Sequence, residues 1–425
     1  MNLKRIGLRT GALAAAVAMA GTAQASDVMI NGFASFYYGN VMDQAEIPDG
    51  DSHRGYSEPG SFQYDSQFGL QFTSQIGDGL SAIAQMTAEG RDGYKSHLSW
   101  AFMKYELSDS WTVKMGRQRV PFFLFSDFQK VGYAYSWVSP PNEVYNLGGL
   151  ENTDGVMFEH HTDLGSVTSR LNLLFGSSSQ TTNFGSFDID IDNENQIGMF
   201  WDLTYDALTF HLTYTTSDLT ISSYSDVGNG INATLTGINP ALALSEDELD
   251  LMTIDEDKVT YLGAGLSGDW GTWLAAAEYA SIRIDNSPVS GDRSSWYVFT
   301  GYRWDAYTFG LTYAAYSSPN NDDTIDVLES KNIEPTLQMA AAGAAANGDS
   351  FAAYGISQLS AAIPGVYRSG EESSSYTLSV RYDFHPSAAL KFEYIQEDVT
   401  LMPDDGTGDQ EFSPALARIG VDLVF

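Results

Sequence analysis

The 425-residue sequence has no cysteine, only six histidines, and no apolar run of the roughly 18 residues that a membrane-spanning helix requires. The absence of cysteine excludes disulfide bonds, thiol nucleophiles and cysteine-ligated metal ions. Basic residues are scarce, because 21 Lys and Arg stand against 55 Asp and Glu. A net charge of −34 excludes nucleic acid as a partner. No histidine lies in a recognisable catalytic motif, so we predict that the chain is not an enzyme.

Residues 1–25 have the composition of a secretory signal peptide. Three basic residues, an apolar run and small residues follow one another in the expected order: Lys4, Arg5 and Arg9, then residues 11–21, then Ala23 and Ala25. The apolar run is too short to span a bilayer as a helix. We predict that residues 1–25 are cleaved, which leaves one exported domain over residues 26–425.

The last twelve residues alternate between two faces, as an extended strand does. One face is apolar and the other is mixed and partly charged: Ala415, Ala417, Ile419, Val421, Leu423 and Phe425 against Leu416, Arg418, Gly420, Asp422 and Val424. Such a strand suits either a wall between lipid and water or the edge of a soluble β-sandwich. The mean hydropathy of −0.19 is compatible with the membrane wall, because only alternate residues of a barrel strand face lipid.

Seven short turns, each flanked by strand-like alternation, divide the chain at residues 77–79, 108–110, 163–165, 206–207, 268–269, 305–306 and 385–387. Seven hairpins give fourteen strands, and residues 28–40 and 412–425 add one strand at each end. We therefore predict an all-β fold, a transmembrane barrel of sixteen antiparallel strands with short turns at one rim and long loops at the other. Closure is expected because an open sheet edge in lipid leaves backbone groups unpaired.

The inward faces of these strands carry polar side chains. Lys391, Glu393, Glu278 and His211 alternate with apolar neighbours such as Phe392. In the predicted barrel the apolar residues face lipid and the polar residues meet a water-filled lumen.

The long loops are predicted at residues 41–61, 91–96, 119–152, 177–194, 218–257, 285–292, 317–372 and 399–411. Within the longest, residues 334–346 form either a short helix or a flexible segment, and the conformations of loops 218–257 and 317–372 are otherwise open. Acidic residues gather in these loops, as at 246–250. They are either solvated surface or a Ca²⁺ or Mg²⁺ site that bridges loops or lipopolysaccharide head groups. No other cofactor is expected.

The loop over residues 119–152 is unusually aromatic for a solvated segment. Eight rings lie within it: Phe122, Phe123, Phe125, Phe128, Tyr133, Tyr135, Trp137 and Tyr145. A barrel of sixteen strands encloses a channel wide enough to admit a folded segment. We therefore predict that this loop packs against the inner wall.

A fifth strand that ends in Gly116-Arg117-Gln118 and precedes a long third loop resembles the general trimeric porins of Gram-negative bacteria. The segments GRQRVPFF (116–123) and SWVSPPNEVY (136–145) are similar to porin-like proteins of marine γ-proteobacteria. The resemblance implies a homotrimer in the outer membrane, in contact with lipid and lipopolysaccharide, that lets small hydrophilic solutes and ions diffuse passively. It also implies that the third loop narrows the pore and that the barrel assembly machinery recognises Phe425. The third loop departs from the enteric porins, so their individual filter residues do not transfer.

Opposed charges at the narrowest section of such a pore set its selectivity. The acidic candidates on the loop are Asp127, Glu143 and Glu151. The basic candidates on or near the wall are Lys114, Arg117, Arg119, Arg170, Arg303, Arg381, Lys391 and Arg418. We predict a transverse field across the constriction, below an acidic mouth that concentrates cations. The alternative for each candidate is that it only forms an ion pair with a residue on a neighbouring strand.

Three other functions remain open from the sequence. A substrate-specific channel would use the aromatic loop for sugars or the wall arginines for anions such as phosphate. An outer-membrane barrel enzyme is a further alternative, although it would need a nucleophile and a base. A soluble exported binding protein would be extracted without detergent.

Overall fold

The computed structural model describes residues 28–42, 53–147, 150–184, 187–288, 292–403 and 408–425. The predicted signal peptide, residues 1–25, lies outside the described residues. Among the described helices, none is long and apolar enough to cross a membrane.

The described chain forms one antiparallel sheet. Its strands are β1 (Val28–Val41), β2 (Gln67–Gly77), β3 (Leu80–Glu89), β4 (Ser96–Glu106), β5 (Trp111–Arg119), β6 (Asn152–Leu164), β7 (Val167–Phe184), β8 (Phe187–Tyr205), β9 (Leu208–Ile221), β10 (Asp257–Asp269), β11 (Trp273–Ile284), β12 (Asp292–Trp304), β13 (Tyr307–Ser318), β14 (Gly370–His385), β15 (Ala388–Met402), β16 (Gln410–Phe412) and β17 (Ala415–Val424). Strands β16 and β17 both pair with β15 and together make the last crossing. The predicted barrel of sixteen strands is confirmed. Six of the seven short turns lie where the sequence places them, and the one predicted at 268–269 lies just beyond, at residues 270–272 between β10 and β11.

The barrel closes between its first and last strands. Strand β1 pairs with β2 on one side and with β17 on the other, from Phe33 opposite Val424 to Val41 opposite Leu416. At the short-turn rim, the N–H of Gly32 donates to the carbonyl of Phe425 at 2.7 Å. The Phe425 ring lies over Gly32, where an added Cβ would come within 2.3 Å of it. Closure therefore leaves no free sheet edge along these strands. A free edge in lipid would leave backbone groups unpaired, at a cost in free energy.

The alternation in the sequence matches the two faces of the wall. Phe392 and Ile419 are exposed on the outer face, whereas their neighbours Lys391 and Arg418 are buried inside the barrel. The inward direction of the polar residues is therefore as predicted. The prediction that they meet water is wrong for Lys391, Glu393, Glu278 and His211, which are at least nine-tenths buried because a folded segment covers them.

Aromatic side chains form two belts on the outer wall of β11 to β14. Near the short turns, Tyr307 stacks on Tyr382 with ring centroids 4.7 Å apart. Nearer the long loops, Tyr313 packs against Trp296 and Tyr376. Amphipathic rings favour the two interfaces of a bilayer, so the belts mark the span of wall that lies in lipid.

Strands β7 and β8 extend past their neighbours as a long hairpin. The sequence predicts an irregular loop over residues 177–194, but β7 continues to Phe184 and β8 begins at Phe187. The paired backbone runs from Ser178 opposite Asn193 to Phe184 opposite Phe187. Ladder hydrogen bonds therefore order a polar segment whose composition alone indicated a loop.

Two of the long loops form a helical cap at the other rim, over residues 222–256 and 319–369. Its helices are α2 (Ser222–Ile238), α3 (Glu246–Asp250), α4 (Asp322–Ser330), α5 (Ile333–Ala346) and α6 (Ser350–Tyr367), and a short helix α1 (Asn142–Tyr145) lies between β5 and β6. Ile231, Met252, Leu328 and Ile363 belong to the buried apolar core of the cap. Residues 334–346 are thus helical, as one of the two predicted alternatives has it.

Candidate functional site

The segment that joins β5 to β6, residues 120–151 and hereafter the inserted loop, lies inside the barrel. Its buried rings pack on inward-facing side chains of the wall, in one apolar cluster with Phe200, Tyr261, Tyr297 and Phe299. Trp137, 2% exposed, lies 4.5 Å from Phe299 between ring centroids. Aromatic pairs of this kind add roughly 0.5–1.5 kcal/mol each beyond the burial of their surface. The predicted packing of this loop on the inner wall is thus present.

The wall also anchors the inserted loop through buried hydrogen bonds. The Leu124 N–H donates to Glu278 at 2.9 Å, and the hydroxyls of Tyr145 and Tyr297 donate to the same carboxylate. The indole N–H of Trp137 donates to Thr312 at 2.8 Å. A buried carboxylate is tolerated when donors surround it, and Glu278 has three.

A second anchor joins the loop to the seam where the barrel closes. Asp422 on β17 is fully buried and accepts from Ser35 and Tyr37 of β1, each at 2.6 Å, and lies 2.8 Å from the Lys391 ammonium. Lys391 also donates to the carbonyls of Gly132 and Trp137 in the inserted loop. At Gly132 an added Cβ would meet Asp422 Oδ1 at 2.3 Å, so the backbone approaches this closely only with glycine.

The described part of the first loop, from His53 to Ser66, ties the inserted loop to the wall. Arg54 donates to Glu143 of the inserted loop at 2.6 Å and to Glu397 on β15 at 2.8 Å. Ser375 also donates to Glu143, which is 7% exposed. Glu143 therefore binds the two loops together, and it does not line the open channel.

Two cavities remain between the inserted loop and the wall. The upper cavity, about 180 Å³, is lined by Arg54, Tyr64, Asp65, Gln67, Glu89, Arg91, Gln129, Lys130, Tyr135, Val138, Ser139, Pro140, Asn142, Tyr145, Asn146, Glu151 and Arg418. The lower cavity, about 380 Å³, is lined by Gln71, Ile83, Trp100, Phe102, Lys104, Lys114, Gln118, Arg119, Pro121, Asp127, Met157, Glu159, Arg170 and Asn172. Arg119 lines the lower cavity, and its partners Glu151 and Gln129 line the upper one. The cluster of Arg119, Glu151 and Gln129 therefore lies between the two cavities.

The structure brings six of the predicted constriction residues to these cavities. Lys114, Arg119, Asp127 and Arg170 line the lower cavity, and Glu151 and Arg418 line the upper one. Arg170 faces Asp127 of the inserted loop across 3.6 Å, and Arg119 pairs with Glu151 of the same loop, so two loop-to-wall ion pairs among the residues described match the predicted transverse arrangement.

Four predicted constriction residues have other roles, in addition to Glu143. Arg381 and Lys391 donate to carbonyls of the inserted loop and anchor it. Arg303 lies at the short-turn rim, bound to Asp269 at 2.6 Å. Arg117 shares the outward face of β5 with the exposed Met115 and pairs with Asp154 at 2.6 Å. A period of two starting from Met115 would have placed Arg117 outside the lumen.

The sequence reasoning missed four basic residues that line the cavities. Lys104 lies on the inward face of β4, directly opposite Lys114 in the ladder. Arg54, Arg91 and Lys130 lie on loops and line the upper cavity. Strand periodicity predicts the inward direction of Lys104, but nothing in the sequence shows where loop side chains point.

Burial lowers the pKa of the Lys130 ammonium. Arg91 lowers this pKa further, while Glu89 and Glu151 raise it. Lys130 lies 2.7 Å from Glu89, so an ion pair compensates part of the desolvation cost.

Asp202, His211 and Thr213 form a chain of contacts that resembles a catalytic triad in geometry. His211 Nδ1 lies 2.6 Å from Asp202 and its Nε2 lies 2.8 Å from Thr213. The Thr213 hydroxyl, however, donates to the carbonyl of Phe122 in the inserted loop at 3.0 Å. His211 and Thr213 are 3% exposed, so this group holds the loop and no solute reaches it.

In the part of the chain that the structure describes, no group of three or more His, Asp or Glu side chains is placed to hold a metal ion. A Ca²⁺ or Mg²⁺ ion at the acidic loops stays a prediction.

The fold is similar to several solved outer-membrane proteins, although sequence identity is low. The outer membrane channel DcaP of Acinetobacter baumannii matches with a TM-score of 0.55 at 12% identity, over 94% of this chain and 97% of its own. OmpT of Vibrio cholerae matches with a TM-score of 0.52 at 13% identity, over 95% and 98%, and it has also been solved in a trimer form. OmpF of Salmonella typhi, in complex with daunomycin, matches with a TM-score of 0.50 at 12% identity, over 94% and 98%.

No curated protein sequence matches the chain. A family model described as Gram-negative porin, by contrast, matches residues 12–400, most of its length. The match spans β1 to β14 and most of β15, the inserted loop and every residue that lines the two cavities except Arg418. The chain belongs to the Gram-negative porin family.

Proposed function

We propose that this outer-membrane channel, through which solutes diffuse passively, favours small anions over cations. The observation that carries the proposal is the distribution of charge. Eight basic and five acidic residues line the two cavities, in a chain with 21 basic and 55 acidic residues. Basic residues are therefore enriched around the two cavities relative to the whole chain.

The proposal keeps the predicted acidic mouth, but the carboxylates of the mouth do not set the selectivity of the channel. Exposed carboxylates of the helical cap, such as Glu246 and Asp247, lie outside the two cavities. Charges separated from an ion by more than a Debye length, about 8 Å at physiological ionic strength, are largely screened. On this proposal selectivity follows instead from the charges that line the two cavities, such as Arg119 and Arg170 on the wall.

Reversal potentials across a salt gradient test this proposal. Arg119 is the test position, and its neighbour Arg117 is the matched control. We expect Arg119→Ala to shift permeability toward cations and Asp127→Ala to shift it further toward anions. A unit charge at 4 Å changes the energy of an ion by about 1 kcal/mol in water, so each shift should be about fivefold or more. Arg117→Ala removes the same charge from the outer face and should leave the reversal potential unchanged. Cation selectivity in the wild type would overturn the proposal.

We further propose that the chain assembles as a homotrimer. The outer wall of β2 to β5 has a shallow hollow of about 510 Å³ where small side chains meet methionines, including Ala82, Ala84, Ala101, Met103 and Met115. Small residues let a neighbouring subunit approach closely in a membrane. The trimer form of OmpT, a protein of similar fold, supports the same assembly.

The mass of the detergent-solubilised protein tests the assembly. We expect three chains per particle for the wild type and a lower mass for Ala84→Trp, because the indole fills the hollow. Ala277→Trp places the same ring on the outer face of β11, away from the hollow, and should leave the mass unchanged. A wild-type monomer would refute the trimer.

Lipid and lipopolysaccharide contact the outer wall on this proposal, and the barrel assembly machinery recognises Phe425. The accessible rim position of Phe425, which is 64% exposed, supports recognition.

The chain has no catalytic role on this proposal, because the Asp202, His211 and Thr213 group is covered by the inserted loop.

A further inference from the structure

The lower cavity holds charged and polar groups that the anchoring of the inserted loop does not use. We propose that it is a binding site for a small organic anion that has a flat apolar ring and a hydrogen-bond donor. The proposal rests on the proposed anion preference and narrows it, because it assigns a saturable site and a ligand class to the channel.

Two lysines at the lower end of the cavity point to the anionic group. Lys104 on β4 and Lys114 on β5 lie directly opposite each other in the ladder, and both line the cavity. Like charges in this arrangement repel each other. Glu106 lies 3.2 Å from Lys104 and Glu159 lies 3.0 Å from Lys114, so each carboxylate serves one lysine. An anion between the two ammonium groups removes the repulsion with charge-assisted hydrogen bonds.

An apolar hollow above the lysines points to the ring. The next inward-facing pair in the ladder is Phe102 opposite Gly116, so one strand contributes a ring and the other contributes no side chain. Gly116 has φ +129, and an added Cβ would lie 2.4 Å from the Ala101 carbonyl oxygen. Trp100 and Met157 also line this part of the cavity. Phe102, Trp100 and Met157 therefore offer an apolar surface to a flat ring, and Gly116 adds no side chain that would cover it.

Two amide side chains that line the cavity carry oxygens without a hydrogen-bond partner among the described residues, and they point to the donor. Gln118 is 2% exposed, and its Nε2 donates to the Gly155 carbonyl while its Oε1 has no partner. Asn172 is 4% exposed and its Oδ1 also has no partner. A buried polar atom without a hydrogen bond costs roughly 1–3 kcal/mol. Rotation of either amide group toward the cavity would let its oxygen accept from a ligand hydroxyl and would offset this cost.

The dimensions of the cavity agree with a ligand of one ring. Its volume of about 380 Å³ lies near the lower end of the range of about 300–1,000 Å³ for small-molecule sites. The Arg119 and Glu151 ion pair narrows its connection to the upper cavity. A ring with an acid at one end and a hydroxyl at the other matches this order of groups.

Blockade of single-channel current by para-hydroxybenzoate tests the site. We expect a saturable reduction of the current of small ions. Para-hydroxybenzyl alcohol lacks the charge and benzoate lacks the donor, so both should block at least about tenfold less well, which corresponds to about 1.4 kcal/mol. Acetate, which lacks the ring, should not block at the same concentrations.

Variants assign the effect to the cavity. Lys104→Met and Lys114→Met retain the side-chain length and remove one ammonium each, so each should weaken blockade about tenfold, or about 1.4 kcal/mol. Gln118→Leu should weaken the effect of para-hydroxybenzoate more than that of benzoate. Lys258→Met is the matched control, because Lys258 is exposed on β10 and lines neither cavity.

Failure of the site and failure of the channel give different results. An anion-selective conductance that para-hydroxybenzoate never blocks would overturn the site and leave the proposed function intact. Equal blockade in the wild type, Lys104→Met and Lys114→Met would also overturn it. If the protein gave no conductance, the proposed function would fail, and calorimetric titration of the folded wild type in detergent would still decide whether the anion binds.

Discussion

Asp422→Ala is expected to lower the free energy of unfolding of the barrel by about 3–5 kcal/mol, because it leaves the buried Lys391 ammonium without its counter-charge. The same change removes the acceptor for Ser35 and Tyr37, which join β1 to β17. The seam between the first and last strands therefore loses its polar bonds and its ion pair together. Urea titration of the protein in lipid or detergent, followed by the far-UV circular dichroism of the barrel, measures the loss.

Asp269→Ala is the matched control for this prediction. Asp269 also pairs with a basic residue, Arg303, but both side chains are at least 40% exposed. Exposed ion pairs contribute about 0–1 kcal/mol, so the control should lose little stability. The double variant Lys391→Met with Asp422→Leu should recover part of the stability, because it leaves no uncompensated charge. Equal losses for Asp422→Ala and Asp269→Ala would show that the buried pair does not stabilise the seam.

Trp137→Ala is expected to release the inserted loop and to raise the single-channel conductance. The side chain is 2% exposed, packs against Tyr297 and Phe299, and donates to Thr312. Replacing a buried Trp by Ala costs about 3–5 kcal/mol. A loss of this size lowers the ratio of docked to undocked loop by about 100-fold or more, since 1.4 kcal/mol corresponds to a factor of ten. Single-channel recordings should show a larger and noisier current.

Trp304→Ala provides the comparison, because Trp304 lies on the outer wall and is 64% exposed. It should leave the conductance of the channel unchanged. If Trp137→Ala and Trp304→Ala both conduct like the wild type, the packing of Trp137 does not hold the loop in the channel. A urea titration of Trp137→Ala distinguishes local release of the inserted loop from unfolding of the whole barrel.

The fold was predictable because the wall obeys a local rule. Each strand must alternate between lipid and the interior, so the alternation around Phe392 and Ile419 and the turn at 206–207 are visible in the sequence. The same rule places Lys104 inside and Arg117 outside. The assignment of Arg117 to the constriction was wrong. Arg119, two residues later on β5, would share its outward face in a regular strand. It turns inward only because β5 ends there and the inserted loop begins.

The site was predictable only in part, because it depends on contacts between distant segments. The aromatic composition of residues 119–152 indicated a loop packed on the inner wall. It did not indicate that Lys391 would hold the carbonyls of Gly132 and Trp137, or that Arg54 would bridge Glu143 and Glu397. These pairs lie 89 to 343 residues apart in sequence.

The sequence by itself determined the barrel, its sixteen strands and the face on which most wall residues lie, since alternation and turns are local properties of the chain. Only the tertiary structure decided which inward charges meet solute and which are buried as anchors. That decision depends on how the inserted loop fills the lumen. A carboxylate such as Glu278 or Asp422 is a channel charge when water reaches it and a structural hub when the loop covers it, and burial is a property of the packed whole.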